Sequence, residues 1–247
     1  MEGNKRTSLT RFWYRLNQAR RGSSPHSGEL EQVFAGIGRG EPPPPDGLVE
    51  VMPSPTGPSD VVCAFTAHTV IAAGVQERDV LRRLAPDDLG APMEAGFLVW
   101  LGEQLGAPPG MLDLVLVATG DAPATRVQIA PQRGESVARV ERARRYRRDV
   151  QVFGDSDSRG IGVVGRGLAR RWEVAVEVEP AHRDRGLGRG LFAAARRLIP
   201  EGEPLFAQVS PGNAASVRAV LAAGFKPVGS EVLFLTRAGN SVLSASE

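Results

Sequence analysis

The sequence predicts an α/β protein of the α+β type, in which a mixed β-sheet carries helices on both faces. Three observations predict this class. Of the 247 residues, 42% are hydrophobic and 23% are charged, a composition that supports a folded core and excludes a fully disordered chain. Between residues 126 and 235, strand-like and helix-like segments alternate, which is typical of helices packed on both faces of one sheet. In addition, a glycine-rich loop near residue 186 follows a strand-like segment and opens a helical one.

The first half of the chain contains a strand–helix–helix–strand block. Residues 61–75 are rich in small and β-branched side chains, which favours a buried strand. Two helices follow, and the second has four leucine or phenylalanine side chains on one face: Phe97, Leu98, Leu101 and Leu105. A Gly-Asp-Ala-Pro turn ends the last strand. The predicted bounds are strand 61–75, helices 76–84 and 93–105, and strand 112–118.

The second half alternates more densely between the two kinds of element. Its first helix places Val140 and Tyr146 inward and a row of arginines outward, and the three strands after it are separated by short polar turns. The next helix buries Leu187 and Leu191 and stops at Pro200, and the last helix ends at a glycine. The predicted bounds are strand 126–130, helix 135–148, strands 149–153, 162–168 and 172–178, helix 186–199, strand 205–209, helix 213–223 and strand 228–235.

Changes in composition divide the chain into four parts. Residues 1–60 are predicted to be a flexible basic tail and a linker, because residues 41–60 hold 7 of the 19 prolines and proline favours an extended, semi-rigid chain. Residues 61–124 form the predicted N-terminal α/β domain. Residues 125–238 form the predicted main domain, and residues 239–247 a C-terminal tail.

The charge of the chain gives no evidence for a nucleic-acid partner. Basic and acidic residues number 30 and 28, and the excess of positive charge lies in residues 1–28. Arginine dominates the basic residues, which, together with abundant alanine, glycine and valine, indicates a bacterial-type, GC-rich genome rather than a phosphate-binding surface. Four apolar residues in the tail recur at helical spacing, which leaves a short amphipathic helix and a frayed tail as alternatives: Leu9, Phe12, Trp13 and Leu16.

Several classes of protein are excluded by what the sequence lacks. The single cysteine, Cys63, cannot form an internal disulfide or a multi-cysteine metal site, and no metal is predicted. No apolar run reaches the roughly 20 residues that a membrane span needs. Residues 1–25 lack the apolar core of a signal peptide, so we expect a cytoplasmic protein. A homodimer is compatible with the sequence.

The glycine-rich loop predicts an anion-binding site. A strand ending at Val178 is followed by Gly186 and Gly188 at the start of a helix. Glycines let the backbone approach a ligand closely, and the first amides of a helix have no partner within the helix, so a phosphate or pyrophosphate suits this place. Neighbouring arginines have the matching charge. A Walker loop is excluded because the segment has no lysine, and the glycine spacing differs from the G-x-G-x-x-G of dinucleotide-binding folds.

Two motifs resemble those of the GNAT superfamily of acetyl-CoA-dependent N-acetyltransferases. The first is Val178-Glu-Pro180 followed by Arg183-Asp-Arg-Gly186-Leu-Gly188. The second is Asn213-Ala-Ala-Ser216, eight residues before Gly224-Phe225. The motifs stand in the family's order, separated by a helix and a strand, and the resemblance covers residues 125–238. It implies the GNAT fold, with a mostly antiparallel sheet, and the N-terminal block as a degenerate second copy of that fold.

The resemblance also implies acetyl-CoA as co-substrate and assigns residues to it. The pyrophosphate is expected at the loop and the first helical turn, the pantetheine arm along the strand backbone and near the second motif. The expected cofactor-binding residues are Val176, Val178, Arg183, Arg185, Gly186, Leu187, Gly188, Arg189, Asn213 and Ser216. The acceptor would be the amine of a small molecule or peptide, which attacks the thioester directly in a ternary complex.

The catalytic groups are less completely matched. Where many family members have a catalytic tyrosine or glutamate, this chain has Val220 and Gln208. Glu173 and Glu177, on the strand before the glycine loop, are therefore the candidate general bases, with Glu173 preferred. His68 stands in an apolar stretch, which favours a core histidine. The missing groups keep open a second hypothesis, a GNAT-like module that binds acyl-CoA without turnover and acts as a sensor or scaffold.

Overall fold

The computed structural model of the protein describes residues 28–85, 87–119, 125–133 and 137–235. The helices in these ranges are α1 (Glu29–Gly38), α2 (Glu77–Arg83), α3 (Ala95–Leu105), α4 (Ala138–Tyr146), α5 (Leu187–Ala195) and α6 (Ala214–Ala222). The strands are β1 (Val49–Met52), β2 (Ser59–Phe65), β3 (His68–Ala72), β4 (Pro109–Ala118), β5 (Ile129–Pro131), β6 (Arg148–Asp155), β7 (Gly160–Arg166), β8 (Trp172–Val178), β9 (Leu205–Val209) and β10 (Lys226–Leu235). The alternatives for residues 9–16 and the predicted tail 239–247 lie outside the described residues.

These ten strands form one sheet in the order β1-β3-β2-β10-β4-β9-β8-β7-β6-β5. Two of its pairs, β1 with β3 and β8 with β9, are parallel. The other pairs within the described part of the chain are antiparallel. The predicted fold class, a mixed and mostly antiparallel sheet, is therefore confirmed.

Helices cover both faces of the sheet, as predicted. Side chains alternate between the faces along each strand, so Leu116 packs with α5 and α6 while its neighbour Val115 packs with α1. Helices α2 and α3 pack on the same side as α5 and α6, and we call this side the front face. The back face carries α1 and α4. Among the described helices the longest has 11 residues, and none is long and apolar enough to cross a membrane.

Helix α1 and strand β1 occupy a region for which the sequence predicted a flexible tail and a linker. Leu30, Phe34 and Ile37 lie one turn apart and are buried on the back face. The sequence analysis missed the helix because no side chain caps its N-terminus at Gly28 and because a proline-rich stretch follows it closely. The predicted strand 61–75 is also two strands, β2 and β3, paired as a hairpin.

Strand β4 lies between β9 and β10. Its C-terminal half pairs with β9, and most of its length pairs with β10. A strand of the predicted N-terminal block thus separates two strands of the predicted main domain. The division at residue 124 stays a prediction, and the sheet pairing crosses it.

Replacing Phe34 by alanine should lower the free energy of unfolding by about 3–5 kcal/mol, because a buried phenylalanine leaves a cavity in a core that relaxes only partly. Phe34 is 2% exposed and its ring meets the Phe206 ring edge to face at 5.3 Å. Urea denaturation measures the change. The control is Gln32→Ala on the exposed side of α1, which should change stability by no more than about 0.5 kcal/mol. Equal stability of the two variants would contradict the docking of α1 on the core.

Candidate functional site

The predicted glycine loop does join β8 to α5 with its helix N-terminus open. Gly186 precedes the helix with φ of +80°, a left-handed conformation that a side chain would strain. A Cβ built at Gly188 would meet only ordinary contacts, the nearest being the Val178 side chain at 3.6 Å. Internal packing therefore does not require glycine at 188. The missing side chain leaves the first turn of α5 accessible to a ligand.

A cavity of about 840 Å³ lies over this turn. Its polar lining consists mostly of basic side chains, namely Arg126, Arg159, His182, Arg185 and Arg189. Arg159 is held by Asp155 at 2.8 Å and Asp157 at 3.0 Å. Within the described residues no carboxylate forms an ion pair with Arg126, Arg185 or Arg189. The cavity therefore combines unneutralised positive charge with the amides of a helix N-terminus, which suits a pyrophosphate.

Strands β8 and β9 run together only at their beginnings. Their parallel pairing covers Trp172–Val174 with 205–207. Beyond it, β8 continues to Val178 while remaining paired with β7 on its other side. Residues 175–178 of β8 therefore have a free backbone edge facing β9. A wedge-shaped opening results, which starts at Val174 and widens towards the glycine loop.

Several predicted cofactor residues also have contacts of their own. The Arg183 guanidinium donates through Nε to the Val178 carbonyl at 3.0 Å, which closes the loop onto the end of β8. Asn213 caps α6, since its side-chain oxygen accepts from the Ser216 amide at 3.1 Å. Leu187 and Arg185 line the cavity directly. Their roles toward acetyl-CoA stay predictions.

Sequence reasoning missed Arg126 and Arg159, which line the same cavity from outside the glycine motif. Arg126 precedes β5, and Arg159 lies in the turn between β6 and β7. Neither position has a local signal, because both reach the cavity only through the folding of distant strands. His182, in the loop itself, also lines the cavity.

Glu173, the preferred candidate base, lies at the apex of the opening but is fully engaged. Its side chain is 6% exposed and accepts from Arg171 at 2.9 Å, Arg147 at 3.0 Å and Gln208 at 2.7 Å. Burial alone would raise the pKa of Glu173, but the charges of Arg171 and Arg147 and the hydrogen bonds hold this pKa below its ordinary value. Such a carboxylate accepts a proton poorly. The geometry favours a structural role, and the catalytic assignment stays a prediction.

The other predicted groups lie apart from this apex. Glu177 is half exposed and pairs with Arg139 of α4 at 3.3 Å. Val220, where the family motif suggested a tyrosine, is fully buried in the core between α6 and the sheet. His68 is 6% exposed and contacts Asp46 at 2.8 Å and Glu50 at 3.7 Å, at the β1 edge of the sheet.

Comparison with known proteins gives distant structural similarity only. No family model matches the chain, and no curated protein matches it. A Drosophila protein of solved structure is 19% identical with a TM-score of 0.42, over 58% of each chain. A GCN5-related N-acetyltransferase from Kribbella flavida is 19% identical with a TM-score of 0.39, over 59% of this chain and 65% of that one. A GNAT-family acetyltransferase from Colwellia psychrerythraea is 16% identical with a TM-score of 0.34, over 52% and 57%. The chain thus spans less than two thirds of each of these structures.

Replacing Glu173 by glutamine should destabilise the protein by about 3–5 kcal/mol at pH 7, because it leaves Arg147 without its countercharge and Arg171 with Glu231 alone. A carboxylate whose pKa is lowered by folding stabilises the protein above its unfolded pKa, about 4.3 for glutamate, and loses this effect as the pH falls through the folded pKa. The stability difference between wild type and variant should therefore narrow below about pH 4.3. Urea denaturation from pH 3 to 7 measures it, and a difference independent of pH would contradict the ion-pair interpretation.

Proposed function

We propose that this chain is an acetyl-CoA-dependent N-acetyltransferase of the GNAT type, which transfers the acetyl group directly to an acceptor amine in a ternary complex. One observation carries the proposal: the free edge of β8 at residues 175–178 runs towards the glycine loop, and the cationic cavity lies over that loop and the first turn of α5. Acetyl-CoA has a pyrophosphate joined to an extended arm that carries amide groups. An anion site suits the pyrophosphate, and a free strand edge next to it suits the arm. The first sequence motif spans the end of this edge and the loop, and the second begins α6.

The loop and the first turn of α5 would hold the pyrophosphate. Amides at Gly186 to Arg189 supply the helix N-terminus, and Arg126 and Arg185 supply charge from two separate segments. From Val178 back to Val174, β8 spans about 13 Å at about 3.3 Å per residue. The free backbone groups along this length would hydrogen-bond the pantetheine arm and bring the thioester into the opening.

The proposed chemistry needs three tasks from the protein. A base takes a proton from the acceptor amine, whose nitrogen then forms a bond to the acetyl carbonyl carbon. A backbone amide of β8, expected at Val178, stabilises the negative charge that develops on the carbonyl oxygen. The carbon–sulfur bond breaks, and the thiolate leaves and is protonated. The described residues offer the second task through the free edge of β8.

A second candidate function is an acyl-CoA sensor or scaffold without turnover. The observation that favours it is the engagement of Glu173 by three side-chain donors and the Leu168 amide at the apex. A module of this kind would share the cavity and the strand edge but lack a base. Incubating the full chain with acetyl-CoA and a panel of amines, with detection of released thiol, separates the two functions. Thiol release that depends on an amine supports the transferase, and tight binding without release for any amine supports the sensor.

Replacing Gly188 by valine should weaken acetyl-CoA binding at least tenfold, because the side chain would stand beside Val178, where the arm of acetyl-CoA would pass from the loop to the free edge of β8. The matched control is Gly188→Ala, whose Cβ meets only ordinary contacts within the protein and which should fold normally. Isothermal titration calorimetry measures the affinity, and a thermal melt confirms that both variants are folded. Unchanged affinity in a folded valine variant would contradict the proposed path of acetyl-CoA between the loop and β8.

A further inference from the structure

Asp113 lies on the far side of the opening between β8 and β9. It belongs to β4, and the residue after it, Leu114, is the last to pair with β9, opposite Val209. Val209 in turn stands two residues beyond Ala207, where the pairing of β9 with β8 stops. Asp113 is therefore level with the unpaired segment of β8. The N-terminal part of β4, which precedes Leu114, borders the wide part of the opening.

The Asp113 side chain projects to the back face. Alternation along β4 places it on the side of Val115 and Val117, which pack with the residues under α1. Its cross-strand partner is Glu231 on β10, and cross-strand side chains share a face. The cationic cavity belongs to the front face, where α5 packs. Asp113 thus approaches the opening from the side opposite the proposed cofactor site.

Asp113 differs from the neighbouring carboxylates in its partners. Glu231 is bound by both terminal nitrogens of Arg171, at 2.7 and 2.9 Å, and Glu173 has the three donors described above. Asp113 is half-buried, and none of the described residues donates a hydrogen bond or forms an ion pair with its carboxylate. A half-buried carboxylate without a donor is free to accept a proton from a ligand.

The charges around Asp113 increase its basicity. Burial chiefly, and the negative charge of Glu231 in addition, raise the pKa of Asp113 above its ordinary value. Arg142, which faces it from α4, acts in the opposite direction but does not cancel the increase. The efficiency of a general base rises as its pKa approaches the working pH.

We propose that Asp113 is the general base of this protein and that the acceptor amine enters the opening from the back face, between α1 and α4. The inference rests on the proposed acetyl transfer. One Asp113 oxygen takes a proton from the acceptor ammonium, and the freed nitrogen lone pair forms the bond to the acetyl carbon. The carbon–sulfur bond breaks, the sulfur leaves with the bonding pair, and it takes the second proton that the nitrogen loses. Asp113 then releases its proton to water.

The test compares the full-length wild type with Asp113→Asn, with Glu177→Gln, and with Glu103→Gln as a matched carboxylate control on exposed α3. Acetyl-CoA binding is measured by calorimetry, and kcat/KM is measured from pH 6 to 10 with a panel of primary alkylamines. Asp113→Asn should bind acetyl-CoA like wild type and lose about 10²–10⁴-fold in kcat/KM at pH 7. The loss should shrink as the pH approaches the amine's own pKa, about 10, because the amine then needs no base.

Stability separates this role from a merely structural one. A carboxylate whose pKa is raised by folding destabilises the protein when it is charged, so Asp113→Asn should melt at the same or a higher temperature than wild type at pH 7. A lower melting temperature with a loss of activity that is uniform over pH would overturn the proposal in favour of a structural role. Asp113→Ala, which has no side-chain amide in place of the carboxylate, should show the same pH-dependent loss of kcat/KM.

The remaining outcomes distinguish this inference from the proposed function. Full activity in Asp113→Asn overturns the base assignment but leaves the proposed acetyl transfer in place. A matching loss of activity in Glu177→Gln would then assign the base to β8. A wild type that binds acetyl-CoA but acetylates none of the amines overturns the base assignment and the transferase together, in favour of the sensor. If the wild type does not bind acetyl-CoA, the proposed cofactor site and the proposed reaction are both wrong.

Discussion

Arg171 brings a full positive charge into the centre of the sheet, where its side chain is 1% exposed. Burial alone would lower the pKa of Arg171, but Glu231 and Glu173 raise it above its ordinary value and keep the group charged. Its guanidinium also lies 4.3 Å from the centre of the Phe34 ring. Because an isolated buried charge is very costly, this arginine is tolerated only where all of these partners are in place. The strands β8 and β10 and the helix α1 are thereby fixed relative to one another.

The opening between β8 and β9 depends on that arrangement. Two strands of a sheet lose their shared backbone hydrogen bonds where they separate. Backbone pairing alone does not determine at which residue the separation begins. Here the Gln208 amide donates to Glu173 at 2.7 Å across the apex, and Glu173 is anchored in turn by Arg171 and Arg147. The position at which the strands separate is therefore set by a polar network on the back face. A carboxylate in this position stabilises the structure when it is ionised and hydrogen-bonded, which opposes its use as a proton acceptor.

Sequence reasoning succeeded where structure is set locally. Strands 172–178 and 205–209 were predicted with the bounds that the structure has, because each is a short apolar run between clear turn signals. The glycine loop was likewise predicted, because its signal lies within five or six consecutive residues. Helix α1 was missed because its stability comes from packing on Phe206 and Arg171, far along the chain, rather than from its own caps.

The same distinction explains what was missed in the candidate site. Arg126, Arg159 and Asp113 come from three separate segments, and only the sheet brings them to the cavity and the opening. Glu173 was correctly placed on the strand that borders the opening, but its partner Arg147 approaches from the end of α4, which no spacing in the sequence reveals.

The sheet itself separates the two reactants of the proposed transfer. The cationic cavity lies on the front face, around α5, where residues 125–127 and the glycine loop meet. The arginines of α4 lie on the back face. The back face presents carboxylates, of which Glu173 and Glu231 are neutralised and Asp113 is not. An anionic acyl donor and a cationic amine would therefore approach from opposite sides and meet only where the strands part.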